Sequence, residues 1–297
     1  MSVDVVCAGV PFLDITFTGL ERMPTLGEER MAERVQFTPG GLANVALGLH
    51  RLGLVTTLWS PVGEDVGGRL LASLLESEGI PWVGPSNVES GVSAILPLDG
   101  DRAFVTVAPA YELDTGAIAA LCPRAVVTDL GSIGAIPAGP DVYAVTGDVE
   151  SRDLAGRHPE AMSGLRALLL NESEARFLTG FDDAEEAAGS LAAAGTTVVV
   201  TVGARGAVYA GRDGAARAEA PAVRAVDTNG AGDLFTAAWV WADLAGVPVE
   251  DRLRLAVTYA SLSVRVATTQ AGALTLDAFR RQADLPDALF PGPGARR

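Results

Sequence analysis

Short β-rich runs recur along the chain, each followed by a stretch of helical spacing or by a loop, and this alternation restricts the fold more than any other feature. Val3–Gly9 (VDVVCAG) reads as a buried first strand. Leu42–Gly53 then puts Val45, Leu49 and Leu52 on one helical face and stops at Gly53. LVTTLWSPVG follows as a strand, and Gly67–Gly79 (GGRLLASLLESEG) as a second helix closed by glycine. AVVTDLG, DVYAV, RALLLNE and TTVVVTVG each suit a further buried strand. The pattern predicts an α/β fold: a mostly parallel central sheet with helices on both faces.

Two segments break the rhythm. One covers about residues 14–38, with the alternating stretches ITFTGL and RMAERVQF. The other covers about residues 91–108, where two strand patterns flank Asp-Gly-Asp, a hairpin signal. Together they predict a small discontinuous β subdomain set against a main domain of residues 1–290. A further hairpin is predicted over Gly206–Ala220, and residues 291–297 read as a flexible tail.

With 48% hydrophobic residues in 297, the chain can bury a sizeable core. Its net charge of −15 disfavours nucleic acid and anionic membranes as partners. All 22 basic residues are arginine. Without lysine, a Walker P-loop, a protein-kinase site, a pyridoxal-phosphate site and a Schiff-base aldolase site are all excluded. Cys7 and Cys122 form no CxxC pair, and Cys7 reads as a buried apolar residue. His50 and His158 belong to no metal motif. No basic region precedes the first apolar run, and no run is long enough to span a bilayer, so a cytoplasmic location is expected.

The chemistry concentrates in Ala225–Val240 (AVDTNGAGDLFTAAWV). Leu234–Leu244 is apolar and helix-compatible, which places Asn229–Asp233 at a helix N-terminus. Unpaired N–H groups and the positive end of the dipole collect there, and glycine lets that backbone approach an anion. A carboxylate at an anion site is anomalous unless Asp233 faces a hydroxyl and takes its proton during attack. Nucleophile, base and charge stabilisation are the parts that phosphoryl transfer needs.

DTNGAGDLF resembles the C-terminal signature of the ribokinase-like (PfkB) sugar kinases. PGGLANVALGLHRLG resembles their N-terminal signature, and PVGEDVGGRLL the segment that follows it. NESEARFLTG and VTVGARG resemble their Asn-x-x-Glu and nucleotide-side elements, all in family order. The resemblance implies a ribokinase-like three-layer fold and ATP-dependent phosphorylation of a small carbohydrate. It makes Asp233 the base, and Gly230, Ala231 and Gly232 the stabilisers of the transferring phosphoryl group. Thr201, Gly203, Gly206 and Asn229 would lie along the nucleotide. Asn171 and Glu174 would hold Mg²⁺, through water. Asp14, Gly40, Gly41 and Asn44 would read the sugar hydroxyls. Asp227 and the Asn229 carbonyl resemble part of a monovalent-cation site, for K⁺, found in some members. The β segments would form a lid over the sugar, which in this family often pairs with a second subunit as a homodimer.

This chain departs from the pattern in one loop. Two residues, not the usual three, separate the Gly40–Gly41 pair from Asn44, which leaves open which glycine meets the sugar. That loop also lacks the lysine common in ribokinases proper, which counts against ribose. Two other readings stay open. One is a nucleoside kinase, with Phe17, Phe37 and Phe104 around the base. The other is a non-catalytic sugar-binding regulator. Arg30, Arg34 and Arg102 would either meet an acidic sugar or be solvated lid surface.

Overall fold

The computed structural model describes residues 3–98, 101–157, 162 and 164–291. His158, Asp99 and Gly100 of the expected hairpin, and residues 292–297 of the expected tail lie outside them. The first half of the chain runs through β1 (Val5–Ala8), β2 (Pro11–Thr18), β3 (Arg34–Gly41), α1 (Leu42–Arg51), β4 (Thr56–Trp59), α2 (Val66–Ser77), β5 (Trp82–Val83), β6 (Gly91–Leu98) and β7 (Asp101–Val107). It continues through α3 (Thr115–Ala120), β8 (Ala125–Asp129), β9 (Asp141–Val145), α4 (Asp148–Asp153), β10 (Ala167–Asn171), α5 (Glu172–Thr179), α6 (Ala184–Ala192), β11 (Val198–Thr201), β12 (Ala207–Gly211) and β13 (Gly214–Ala218). Four helices complete it: α7 (Ala231–Leu244), α8 (Val249–Ser263), α9 (Thr269–Gly272) and α10 (Leu276–Gln282).

The main sheet has nine strands in the order β13-β12-β11-β10-β9-β8-β1-β4-β5. It is parallel from β5 to β11, and the β11–β12–β13 hairpins add an antiparallel edge. Every residue of β1 is buried, as a strand covered by helices on both faces requires. Because the central strands are parallel, their carboxyl ends meet at one edge. Asp129, Asn171 and Thr201 end β8, β10 and β11 there, and Gly9 follows β1. That edge is where open α/β sheets place ligands.

The second sheet has the order β3-β2-β6-β7. Its register sets Asp14, Ser93 and Thr106 in one row, with Thr16, Ile95 and Phe104 in a row on the same face. The opposite face carries Leu13, which packs into the main core. Among the described residues no helix is long and apolar enough to cross a membrane.

Helix α7 is apolar around its whole circumference, and every residue from Leu234 to Leu244 is buried. It crosses α1 at Gly48, where a side chain's Cβ would stand 2.6 Å from the Ala237 Cβ and 3.0 Å from the Leu234 Cδ2. The two backbones therefore meet at a contact that tolerates no added methyl. At its far end α7 is anchored by Asp243, which accepts two hydrogen bonds at 2.8 Å from Arg166 and one at 2.6 Å from the Tyr143 hydroxyl. Gly48→Val would force the helices apart and is expected to cost about 1–3 kcal/mol. A denaturant midpoint lower than that of the wild type would register this loss, and an unchanged midpoint would refute the tight crossing.

Candidate functional site

The α1–α7 crossing brings the two glycine motifs together, 189 residues apart in sequence. Asn44, in the first turn of α1, donates through Nδ2 to Asp233 Oδ2 at 2.9 Å. The Asn44 Oδ1 is buried without a partner among protein atoms. Asn44 is thus half satisfied by protein, and its second acceptor is open to a hydroxyl of a ligand or to water.

A cavity of about 230 Å³ opens at this point. Asp14, Asn44, Asn229 and Asp233 line it with polar groups, together with Gly41. The second sheet closes it with Phe12, Phe104, Ser93 and Thr106, the last two sharing a hydroxyl hydrogen bond of 2.7 Å. Asp14 is only 6% exposed. Burial first, then the nearby Asp233 charge, pushes its carboxyl up to about 7, against the pull of the Asn229 side chain. Asp233 is ringed by protein, and burial raises it to about 6, opposed by Asn44 and by the Arg102 charge.

The shortened loop resolves simply. β3 runs to Gly41, and α1 begins at the next residue, so the missing residue removes any loop between strand and helix. Gly41 takes φ 59° as the helix N-cap and lines the cavity. Gly40 lies against Asp14, where a Cβ would fall 2.3 Å from both carboxylate oxygens. Gly40 makes room for the acid, and Gly41 faces the cavity.

Gly230 caps α7 in the left-handed conformation at φ 70°, and no side chain caps that terminus. Any Cβ at Gly230 would strike the Thr269 hydroxyl, whereas Gly232 faces open space. The Ala231 N–H reaches back to the Thr228 carbonyl at 3.4 Å, which leaves the Gly232 N–H of the first turn open to an anion beside Asp233. Asp227 does not face that space. Its Oδ1 accepts the Asn229 N–H at 2.9 Å and its Oδ2 the Thr268 N–H at 3.0 Å.

Thr201 and Gly203 lie at the carboxyl end of β11, beside Asn171 in the register. Gly206 has a backbone reason to be glycine: a Cβ would overlap the Ala218 carbonyl. Asn171 and Glu174 form a capping box at the start of α5. Asn171 Oδ1 accepts the Glu174 N–H at 3.0 Å, and Glu174 Oε2 accepts the Asn171 N–H at 2.8 Å. Burial raises the Glu174 carboxyl to about 7, helped by the charges of Asp233, Asp148 and Glu150. Among the described residues no three His, Cys, Asp or Glu side chains stand close enough to ligate a metal directly.

Three features escape a reading of the sequence. Asp129 ends β8 beside Gly9, whose Cβ would stand 2.6 Å from Asp129 Oδ2, and burial raises its carboxyl to about 7. No described residue donates a hydrogen bond to it. A polar residue closing an apolar parallel strand (AVVTD) is the signal that points to it, as for Asn171. The second is Arg102 of β7, whose partner lies 126 residues along the chain. It donates to the Thr228 hydroxyl at 2.9 Å and lies 5.6 Å over the Phe104 ring. Arg30 instead pairs with Glu28 at 2.9 Å and Glu21 at 3.7 Å. The third is the aromatic wall. Phe12 lines the cavity with Phe104, while Phe17 and Phe37 do not, and Phe37 is 44% exposed.

A carboxylate held by an asparagine, a helix N-terminus beside it and a half-open, acceptor-rich cavity suit proton removal from a hydroxyl next to an anion. Known proteins resemble this chain in sequence and in fold. The chain is 28% identical to fructokinase-1 of Zea mays, over 86% of this chain and 90% of that protein. It is 29% identical to the ribokinase of Bacillus subtilis, over 88% and 92%. The fold matches the Arabidopsis thaliana ribokinase complexed with ribose and ATP, with a TM-score of 0.78 at 24% identity over 95% and 98% of the two chains. The family model for pfkB family carbohydrate kinases matches residues 8–113 and 145–276, which include both glycine motifs. The chain belongs to that family of sugar kinases.

Proposed function

We propose that the protein transfers the γ-phosphoryl group of ATP to a hydroxyl of a small neutral carbohydrate bound in the 230 Å³ cavity. The observation that carries this reading is the Asn44–Asp233 hydrogen bond at the start of α7. Asn44 occupies one oxygen of Asp233 and leaves the other for the proton of the acceptor hydroxyl. As that proton leaves, the hydroxyl oxygen attacks the phosphorus, and charge on the transferring group meets the N–H groups of Gly230, Ala231 and Gly232. Arg102 stands beside this loop through Thr228, where a guanidinium suits phosphate oxygens.

Asp14, Asn44 and Gly41 read the sugar, and Asp129 closes the same carboxyl edge. Thr201, Gly203, Gly206 and Asn229 follow the nucleotide. Mg²⁺ would be held by Asn171 and Glu174 through water, and when bound it offsets the charge of the nucleotide phosphates. The lining is rich in acceptors and carboxylates, which favours polyols over sugar acids. A volume of 230 Å³ is below the range of about 300–1,000 Å³ typical of drug-sized ligands, and this favours a monosaccharide over a nucleoside. An intact Asp233 paired with Asn44 argues against a non-catalytic regulator. A homodimer through the lid has support from Val35, Phe37, Val105 and Val107, which are 44–66% exposed on its outer strands. No feature points to nucleic acid or membrane as a partner, and a cytoplasmic location is part of this reading.

Asp233→Asn is expected to lower kcat by about 10²–10⁴-fold with little change in acceptor KM. Steady-state kinetics with the best acceptor checks this, and wild-type kcat in the variant would refute the base assignment. The pH profile follows from the same environment. With Asp233 titrating near 6 and Asp14 and Glu174 near 7, kcat/KM should rise from pH 5 and level off above about pH 8. Activity that falls over that interval would contradict it. Stability should respond in the opposite sense. These acids have folded-state pKa values above their unfolded values of about 4, so the folded protein holds more protons between pH 4 and 7. The cost of ionising them is absent below pH 4 and complete above about pH 7. Asp233→Asn should therefore melt no lower than wild type at pH 8, and lose any advantage near pH 4. Thermal unfolding at both pH values measures this, and an advantage confined to pH 4 would reverse the sign.

A further inference from the structure

We propose that the hydroxyl pair Ser93–Thr106 determines acceptor specificity: it selects a neutral monosaccharide that carries a free hydroxyl toward the second sheet, apart from the hydroxyl that Asp233 would deprotonate. The inference deepens the kinase reading above and rests on it. The cavity lining divides by origin. Asn44 and Asp233 enter from α1 and α7, whereas Ser93 and Thr106 enter from β6 and β7 of the second sheet.

The two sets differ in what they offer a sugar. An ionised Asp14 or Asp233 only accepts, and the Asn44 Oδ1 is an acceptor without a protein donor. Those groups suit hydroxyl protons. Ser93 and Thr106 share one hydrogen bond of 2.7 Å, which uses one of their two protons. The pair therefore keeps one proton to donate and lone pairs to accept. Only a group that also does both, such as a sugar hydroxyl, uses this capacity in full. An ether oxygen uses half of it, and a C–H uses none.

The register fixes where that hydroxyl must lie. Asp14, Ser93 and Thr106 are direct neighbours on adjacent strands. On the same face, one rung away on either side, stand Phe12 opposite Gly91 and Phe104 opposite Ile95. A polar rung thus runs between two aromatic ones. Adjacent strands lie about 4.8 Å apart, so Asp14 and Ser93 fall within the span of the hydroxyls on one sugar ring. Phe12 is a fixed wall, because a Cβ at Gly41 or at Gly91 would stand 2.9 Å from its ring. Phe104 is 51% exposed beneath the Arg102 guanidinium and forms the outer wall. Ser93 is buried and Thr106 is exposed, so Ser93 is the deep member and Thr106 orients it from the mouth. The aromatic faces take the C–H surface of a sugar and leave its hydroxyls to the rung.

The test is a double-mutant cycle between a protein hydroxyl and a sugar hydroxyl. The acceptors are D-ribose, D-fructose and D-glucose, each with its monodeoxy analogues, assayed by ADP release. In the wild type, at least one monodeoxy analogue of an accepted sugar is expected to lose about tenfold in kcat/KM. Thr106→Val and Ser93→Ala are each expected to lose about tenfold on the parent sugar, mainly through KM, and less than about threefold on that analogue. Thr106→Ser keeps a hydroxyl and should keep the discrimination between the two sugars. Equal losses on parent and analogue, or a wild type that discriminates against no analogue, would overturn the inference. Thermal midpoints with each sugar in the absence of ATP separate it from the kinase reading. Midpoints that rise with the parent sugar, and lose that rise in both variants, would support the pair even if no ADP were released, an outcome that rejects phosphoryl transfer. Sugars that move neither midpoint nor ADP release would overturn both.

Discussion

The close crossing of α1 and α7 is the constraint on which the site depends. Gly48 lets the helices meet without an intervening side chain, and the meeting sets Asn44 against Asp233. Neither motif makes a site alone. Asn44 would be a half-satisfied amide at the start of one helix, and Asp233 an acid in the first turn of another. The anchoring of Asp243 by Arg166 and Tyr143 at the other end of α7 keeps that helix in place while its open N-terminus stays free for chemistry. Stability is invested at one end and function at the other.

Electrostatics explains why so many acids surround a site for an anionic co-substrate. Asp14, Asp129, Glu174 and Asp233 all have carboxyls raised to about 6–7, chiefly by burial and partly by one another. Each is costly to ionise in the empty protein. Sugar hydroxyls, magnesium and the guanidinium of Arg102 are the groups that would relieve the cost. Under the proposed function, binding and ionisation would be linked, with the substrates drawing these carboxyls toward their charged forms.

The fold was largely legible in the sequence because its signals are local. The runs VDVVCAG and TTVVVTVG have the composition and length of buried parallel strands, and Gly53 and Gly79 follow the helices they were expected to close. Asp233 at a helix N-terminus was legible for the same reason. Other features were not, because their partners lie far along the chain. Arg102 meets Thr228 across 126 residues, and Arg51 meets Gln270 across 219. No periodicity reports such pairs. The aromatic wall failed differently: alternation on a strand is readable, but which face turns inward depends on how the second sheet docks. Phe12 and Phe104 face the cavity, and Phe37 faces away.

The central claim is that an acceptor-rich cavity beside an anion-binding helix terminus phosphorylates a neutral sugar. An ADP-release screen over neutral pentoses and hexoses, keto-deoxy sugar acids and nucleosides tests it most directly. The account predicts release with at least one neutral monosaccharide, and far less with the sugar acids and nucleosides. Release confined to nucleosides or acids, or none with any acceptor from well-folded protein, would contradict it.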